Sequence, residues 1–197
     1  MGRDRAARDE AKPLRLFCAV DISDSAATAL DRALEPWRAR LADARWVSPE
    51  NLHITLKFLG RTWPRLVSLV EESCAKAATE IRPFRVSIEG LGAFPSARRA
   101  RVFWAGLKDE DGSLPALARA LEAALEKEFP PEKRGFSPHL TLARFNPPVP
   151  LAEYAEEMER TRIDAPAFRV GELVLYRSHL SPRGARYEAI GSYPFVR

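Results

Sequence analysis

The sequence predicts an α+β fold of two pseudo-symmetric lobes, mainly antiparallel sheet with outer helices, around a central cleft. Three observations predict it. The first is an internal duplication, in which Leu16-Phe17-Cys18-Ala19 precedes His53-Ile54-Thr55-Leu56, and Val102-Phe103-Trp104-Ala105 precedes His139-Leu140-Thr141-Leu142. The second is equal spacing: Phe17 to His53 is 53 − 17 = 36 residues, and Phe103 to His139 is 139 − 103 = 36. The third is a repeated order of elements, strand, helix, strand, helix, strand. Pro64 is echoed by Pro150, and Phe84-Arg85-Val86 by Phe168-Arg169-Val170.

Taken in order, Met1–Pro13 carries charges of both signs and reads as a flexible tail; residues 14–197 then form a single bilobal domain. Leu14–Ile22 is an apolar run between polar residues, a strand signal. Leu30, Leu34, Trp37 and Leu41 recur at helical spacing, and Pro36 inside that pattern kinks the helix or ends it. Ser48-Pro49 makes a loop before the first motif. After it, Thr62 caps a helix with Pro64 in its first turn and Leu66, Val67, Leu69 and Val70 on its apolar face. In the second unit Ser113 caps a helix with Pro115 in its first turn and Leu114, Leu117, Leu121 and Leu125 on one face. Ser137-Pro138 then leads into the second motif, and Leu151–Arg160 is the matching helix.

Composition excludes several classes. No apolar run approaches the roughly 18 residues that span a bilayer, and the N-terminal stretch lacks the apolar core of a secretory signal. Ala6 stands where a myristoylation signal needs Ser or Thr. Cys18 and Cys74 sit in no metal-ligand spacing and read as buried, reduced thiols of a cytoplasmic protein. The net charge of +4 suits an anionic substrate without demanding one.

The chemistry lies in H-x-T-x used twice. Alternate side chains of a strand share a face, so His53 and Thr55 point one way and Ile54 and Leu56 the other, as do their counterparts around His139 and Thr141. Histidine and threonine are then roughly 6.6 Å apart along the strand, a span a phosphate bridges. Two imidazoles about one phosphodiester suit acid–base catalysis, because an unperturbed pKa near 6.5 makes both forms accessible at neutral pH. Thr55 and Thr141 offer hydroxyl donors to the non-bridging oxygens. One lone histidine on a strand is usually structural; two at matching places in a duplication are not easily so explained.

Residues Arg15-Leu16-Phe17, Asn51 to Gly60, Phe136 to Arg144, and Leu175-Tyr176-Arg177-Ser178 with Gly184 and Tyr187 carry a family resemblance. From Leu14 onward the chain resembles the 2H phosphoesterase superfamily, and within it the RNA 2′,3′-cyclic phosphodiesterases, also called 2′-5′ RNA ligases. The resemblance implies the 2H phosphoesterase fold, with both His-Thr pairs in a central cleft. It also implies hydrolysis of RNA ends bearing a 2′,3′-cyclic phosphate to a 2′-phosphate, without cofactor or metal, and for some members the reverse ligation. His53 would be the acid, His139 the base, and Arg144 a phosphate contact. A monomer is expected.

Other residues carry weaker expectations. Strand parity puts Arg144 on the face opposite His139 unless the strand bends, while Lys57 shares parity with His53. Arg98, Arg99 and Arg101 lie in a loop that either steers RNA phosphates or is merely solvated. Trp104 reads as core, whereas Trp46 and Phe136 are open to base stacking. His179 reads as an exposed loop residue outside the chemistry. Three rival readings remain: a metal site, which lacks the third and fourth ligands; a silent RNA-binding module; and the same chemistry on a small cyclic nucleotide or ADP-ribose-type cyclic phosphate.

Overall fold

The apolar runs of the duplicated units become strands of one antiparallel sheet in the computed structural model, which describes residues 12–131, 134–181 and 184–196. Most of the expected tail, Met1–Pro13, lies outside the described residues. The first unit supplies β1 (Leu14–Asp21), α1 (Asp24–Ala33), α2 (Glu35–Arg40), the two-residue β2 (Arg45–Trp46), β3 (His53–Thr62), α3 (Val67–Thr79) and β4 (Phe84–Phe94). The second supplies β5 (Ala100–Lys108), α4 (Ser113–Leu125), β6 (His139–Val149), α5 (Ala155–Arg160), β7 (Phe168–Val170), β8 (Glu172–Ser181) and β9 (Gly184–Pro194). The strand order is β7-β4-β5-β6-β3-β1-β8-β9, with β2 alongside β6.

That order has a pseudo-two-fold axis between β3 and β6, where Ile54 pairs with Leu140. By position, β1 then corresponds to β5 and β8 to β4. The echo of Phe84-Arg85-Val86 in Phe168-Arg169-Val170 is therefore not structural equivalence. Those two segments pair with one another, Phe84 against Val170 and Val86 against Phe168.

Helix punctuation follows the prolines more closely than the caps. Pro36 ends one helix and starts another: α1 stops at Ala33, and Pro36 occupies the first turn of α2. Ser113 is the first helical residue of α4 and not its cap. Gly112 holds the capping position at φ 67°, and the Asp109 carboxylate accepts the Leu114 N–H at 2.6 Å. Thr62 likewise caps nothing, being the buried end of β3; a short turn over Pro64–Leu66 precedes α3. A similar turn, Ala152–Tyr154, shortens the expected helix before α5.

The helices exchange lobes. Leu114, Leu117, Leu121 and Leu125 line one face of α4, which packs beside α3 and over β3 of the first unit. Conversely, Trp37 of α2 packs on Phe103 of β5, ring centroids 5.4 Å apart. By contrast α3, over β8 and β9, and α5, over β4, stay on their own side of the axis. Cys18 and Cys74 meet in this core with their sulfurs 3.5 Å apart.

Candidate active site

Two β-bulges decide which side chains reach the cleft. Opposite β5, Phe103 pairs with Ala143 but Trp104 with Thr141, so Leu142 is an extra residue. Leu142 and Ala143 are both buried, and Arg144, beyond them, returns to the face of His139 and Thr141. Simple alternation had excluded Arg144; the bulge restores it. The same irregularity in β3 sets Cys18 against Lys57 but Ala19 against Thr55, with Leu56 extra. Lys57 is thereby turned into the core, 1% exposed, with its ammonium 2.6 Å from Glu122 of α4. The expectation that Lys57 faces the cleft is corrected by this bulge. Its place is taken by Phe58, 42% exposed and lining the cleft.

The bulges also revise the spacing read from the sequence. Ala19 faces Thr55 and Trp104 faces Thr141, so β1 and β5 are offset by 104 − 19 = 85, whereas the motifs are offset by 141 − 55 = 86. Phe17 and Phe103 are consequently not equivalent. Phe17 lines the cleft, while Phe103 is core.

The single pairing of Ile54 with Leu140 brings the motifs together antiparallel. Projected one residue either way, that register sets Thr55 beside His139 and His53 beside Thr141, a crossed arrangement of two imidazoles and two hydroxyls. Both rings are held alike. The His53 Nδ1 lies 2.8 Å from the Asn51 carbonyl oxygen and the His139 Nδ1 2.8 Å from that of Ser137. A carbonyl only accepts, so each Nδ1 carries the hydrogen and the titratable lone pair of each ring lies on Nε2.

Aromatic rings wall both histidines. Phe17 lies 4.8 Å from His53 by ring centroid, Tyr187 stands edge-on at 5.0 Å and Tyr176 is at 6.2 Å. Tyr176 is fixed by donating its hydroxyl to the Asp21 carboxylate at 2.8 Å. On the other side, Phe94 stands edge-on to His139 at 5.0 Å. Trp104 stacks beside Phe94 and covers Gly92, where a Cβ would come within 2.2 Å of the indole. Trp104 is thus half-buried on the cleft side of β5 and not in the core as expected.

Burial among these rings drives the His53 pKa down to about 4, against the hydrogen bond to Asn51, and the positive charges of Arg144 and His139 push the same way. At pH 7 His53 is therefore neutral. A partly buried neutral histidine must take up a proton on unfolding at acid pH, so its stabilising contribution is complete above about pH 6.5 and lost as pH falls toward 4. Thermal unfolding of His53→Gln should show a shallower loss of Tm across that window than the native protein. Parallel curves would dismiss the burial argument.

His53, Thr55 and Arg144 line a cleft of about 820 Å³ together with Arg15, Arg45 and Arg101. His139 and Thr141 stand half-buried on β6 beside it, His139 near enough to His53 to act on its charge. Trp46 lines the cleft, Phe136 does not, and of the arginine cluster only Arg101 does. His179 lies on β8 in place of the expected loop, 2.7 Å from Glu188 and away from the motifs. The sequence reading missed Phe58 and Arg45. Phe58 was discoverable, since 144 − 58 = 86 makes it the duplicate of Arg144; Arg15 stacks over its ring at 4.6 Å. Among the described residues no group of three or more His, Cys, Asp or Glu side chains is placed to hold a metal, and no helix is long and apolar enough to cross a membrane.

A family model described as the 2′-5′ RNA ligase superfamily matches residues 24–182. A relative from Methanothermobacter thermautotrophicus, named RNA 2′,3′-cyclic phosphodiesterase, is 34% identical over 88% of this chain and 95% of its own length. One of the same name from Archaeoglobus fulgidus is 34% identical over 89% and 97%. A crystal structure from Thermus thermophilus superposes with a TM-score of 0.76 at 28% identity, covering 92% of this chain and 98% of that one.

Proposed function

The chain belongs to the 2′-5′ RNA ligase superfamily, and from that premise we propose that it hydrolyses the terminal 2′,3′-cyclic phosphate of RNA to a 2′-phosphate, using its two histidines and no metal. The observation that carries the reading is the pair of identically anchored imidazoles on one face of β3 and β6, each held through Nδ1 so that Nε2 is the titrating nitrogen. In this mechanism His139 removes a proton from water as the oxygen attacks phosphorus. The bond from phosphorus to O3′ breaks, and His53 protonates the departing O3′. Thr55, Thr141 and the Arg144 guanidinium hold the non-bridging oxygens, where negative charge gathers.

The neutral resting state of His53 fits this assignment once the substrate's charge is counted. A phosphodiester anion bound beside the ring opposes the push of Arg144, so binding itself favours the imidazolium that the acid role needs. Phe58 offers a flat apolar surface on which the terminal base can stack. The buried, reduced thiols Cys18 and Cys74 fit a cytoplasmic enzyme, and we propose that it acts as a monomer.

The deciding experiment incubates the protein with an RNA oligomer ending in a 2′,3′-cyclic phosphate, with excess chelator. The expected product carries a 2′-phosphate. A 3′-phosphate would reverse the assigned leaving group; an inert substrate, or activity abolished by chelator, would overturn the proposal.

A further inference from the structure

We infer that Arg45 and Arg101 form a subsite for the phosphodiester upstream of the reacting end, which makes a chain of nucleotides the preferred substrate over a lone cyclic nucleotide. The inference rests on the function just proposed and deepens it.

It starts from a charge count in the cleft. Its described lining residues include four arginines, Arg15, Arg45, Arg101 and Arg144, and neither aspartate nor glutamate. Over the whole chain the signs nearly balance, 31 basic residues against 27 acidic. A cyclic phosphate carries one negative charge, and Arg144 beside the histidines is sufficient to meet it. Arg15 is engaged over Phe58. Two cations are left with no assigned anion.

Their positions form a row. Arg45 on β2 pairs directly with Arg144 on β6, and Arg144 pairs on its other side with Val102, the neighbour of Arg101 on β5. Adjacent strands are about 4.8 Å apart, so three guanidinium groups issue from three neighbouring strands over roughly 10 Å. Like charges directly opposite one another weaken a sheet. Here Arg45 and Arg144 stand opposite one another with Arg101 one residue away, all exposed, with no ion pair to any of the three among the described residues. By contrast Arg38, Arg40 and Arg160 each bind a carboxylate. A row of uncompensated guanidinium groups leading away from the catalytic pair suits a polyanion entering end-on. With the cyclic phosphate between the histidines and its base at Phe58, O5′ and the chain attached to it leave toward Arg45 and Arg101.

The test compares adenosine 2′,3′-cyclic monophosphate with a short RNA oligomer ending in the same cyclic nucleotide, for the native protein, Arg45→Gln, Arg101→Gln and the double variant. The native protein should prefer the oligomer. Each single change should lower kcat/KM on the oligomer roughly three- to tenfold, mainly through KM, and move kcat/KM on the mononucleotide less than about twofold. In the double variant the salt dependence of log kcat/KM on the oligomer should flatten by about 0.7, the contribution of one phosphate contact on a single strand. Equal kcat/KM of the native protein on both substrates, or variants that slow both alike, would overturn the subsite while leaving the activity standing. Turnover of neither substrate would overturn the activity, and the subsite with it.

Discussion

Replacement of His53 or His139 by alanine is expected to cut turnover by roughly 10²–10⁴-fold in each case, the range of one well-placed proton transfer. The expectation rests on geometry. Each Nδ1 is held 2.8 Å from a backbone carbonyl, so the ring is oriented through that atom and Nε2 is the one lost to chemistry. Neither ring belongs to the hydrophobic core, and substitution should leave the fold intact. Two groups acting on one displacement are not additive, so the double variant should fall little below the worse single one. Single-turnover rates on a cyclic-phosphate oligomer read this directly, and binding of a 2′-phosphorylated RNA should survive through Arg144. A variant that keeps kcat within about tenfold of native lacks the proton-transfer contribution assigned to that histidine.

Glu122→Ala should destabilise the fold although it lies away from the cleft. Lys57 is 1% exposed, and its ammonium meets the Glu122 carboxylate at 2.6 Å. Removing the acid weakens the compensation of a buried cation, a fault that costs about 3–5 kcal/mol in a fully buried pair. Glu122 is itself 32% exposed, which allows some rescue by water, and about 2–3 kcal/mol is expected. For a protein of this length that lowers Tm by roughly 5–10 °C. Lys57→Met keeps the volume and removes the charge from the interior, so its cost should stay within about 1 kcal/mol. Denaturant midpoints distinguish the two; Lys57→Met as costly as Glu122→Ala would mean the packing of the lysine stem, not its charge, is what matters.

The duplication made much of this legible before any coordinates. Equal spacing of two H-x-T motifs was sufficient to place His53, Thr55, His139 and Thr141 on equivalent strands, because period-two alternation leaves little freedom within three residues. Alternation failed at the fifth. A bulge adds one residue without changing composition, so parity put Lys57 in the cleft and Arg144 out of it, the reverse of what the fold does. The second bulge had a trace in the sequence, the consecutive apolar pair Leu142-Ala143. In the first copy a charged lysine occupies the corresponding position and hides it. Arg45 was out of reach, since a two-residue strand has no period to read, and its pairing with Arg144 is a long-range fact. The exchange of helices was equally hidden, because a repeat shows which segments correspond and not which neighbour each one covers.

That exchange has a consequence for how the groove can move. With Trp37 of the first unit roofing β5 and α4 of the second roofing β3, each half is covered in part by a helix of the other. A clamshell opening about the β3–β6 seam would have to tear both roofs from the opposite floor. The gap between the two imidazoles is consequently set at folding, and a guest must thread in along the open rim instead of waiting for jaws to part.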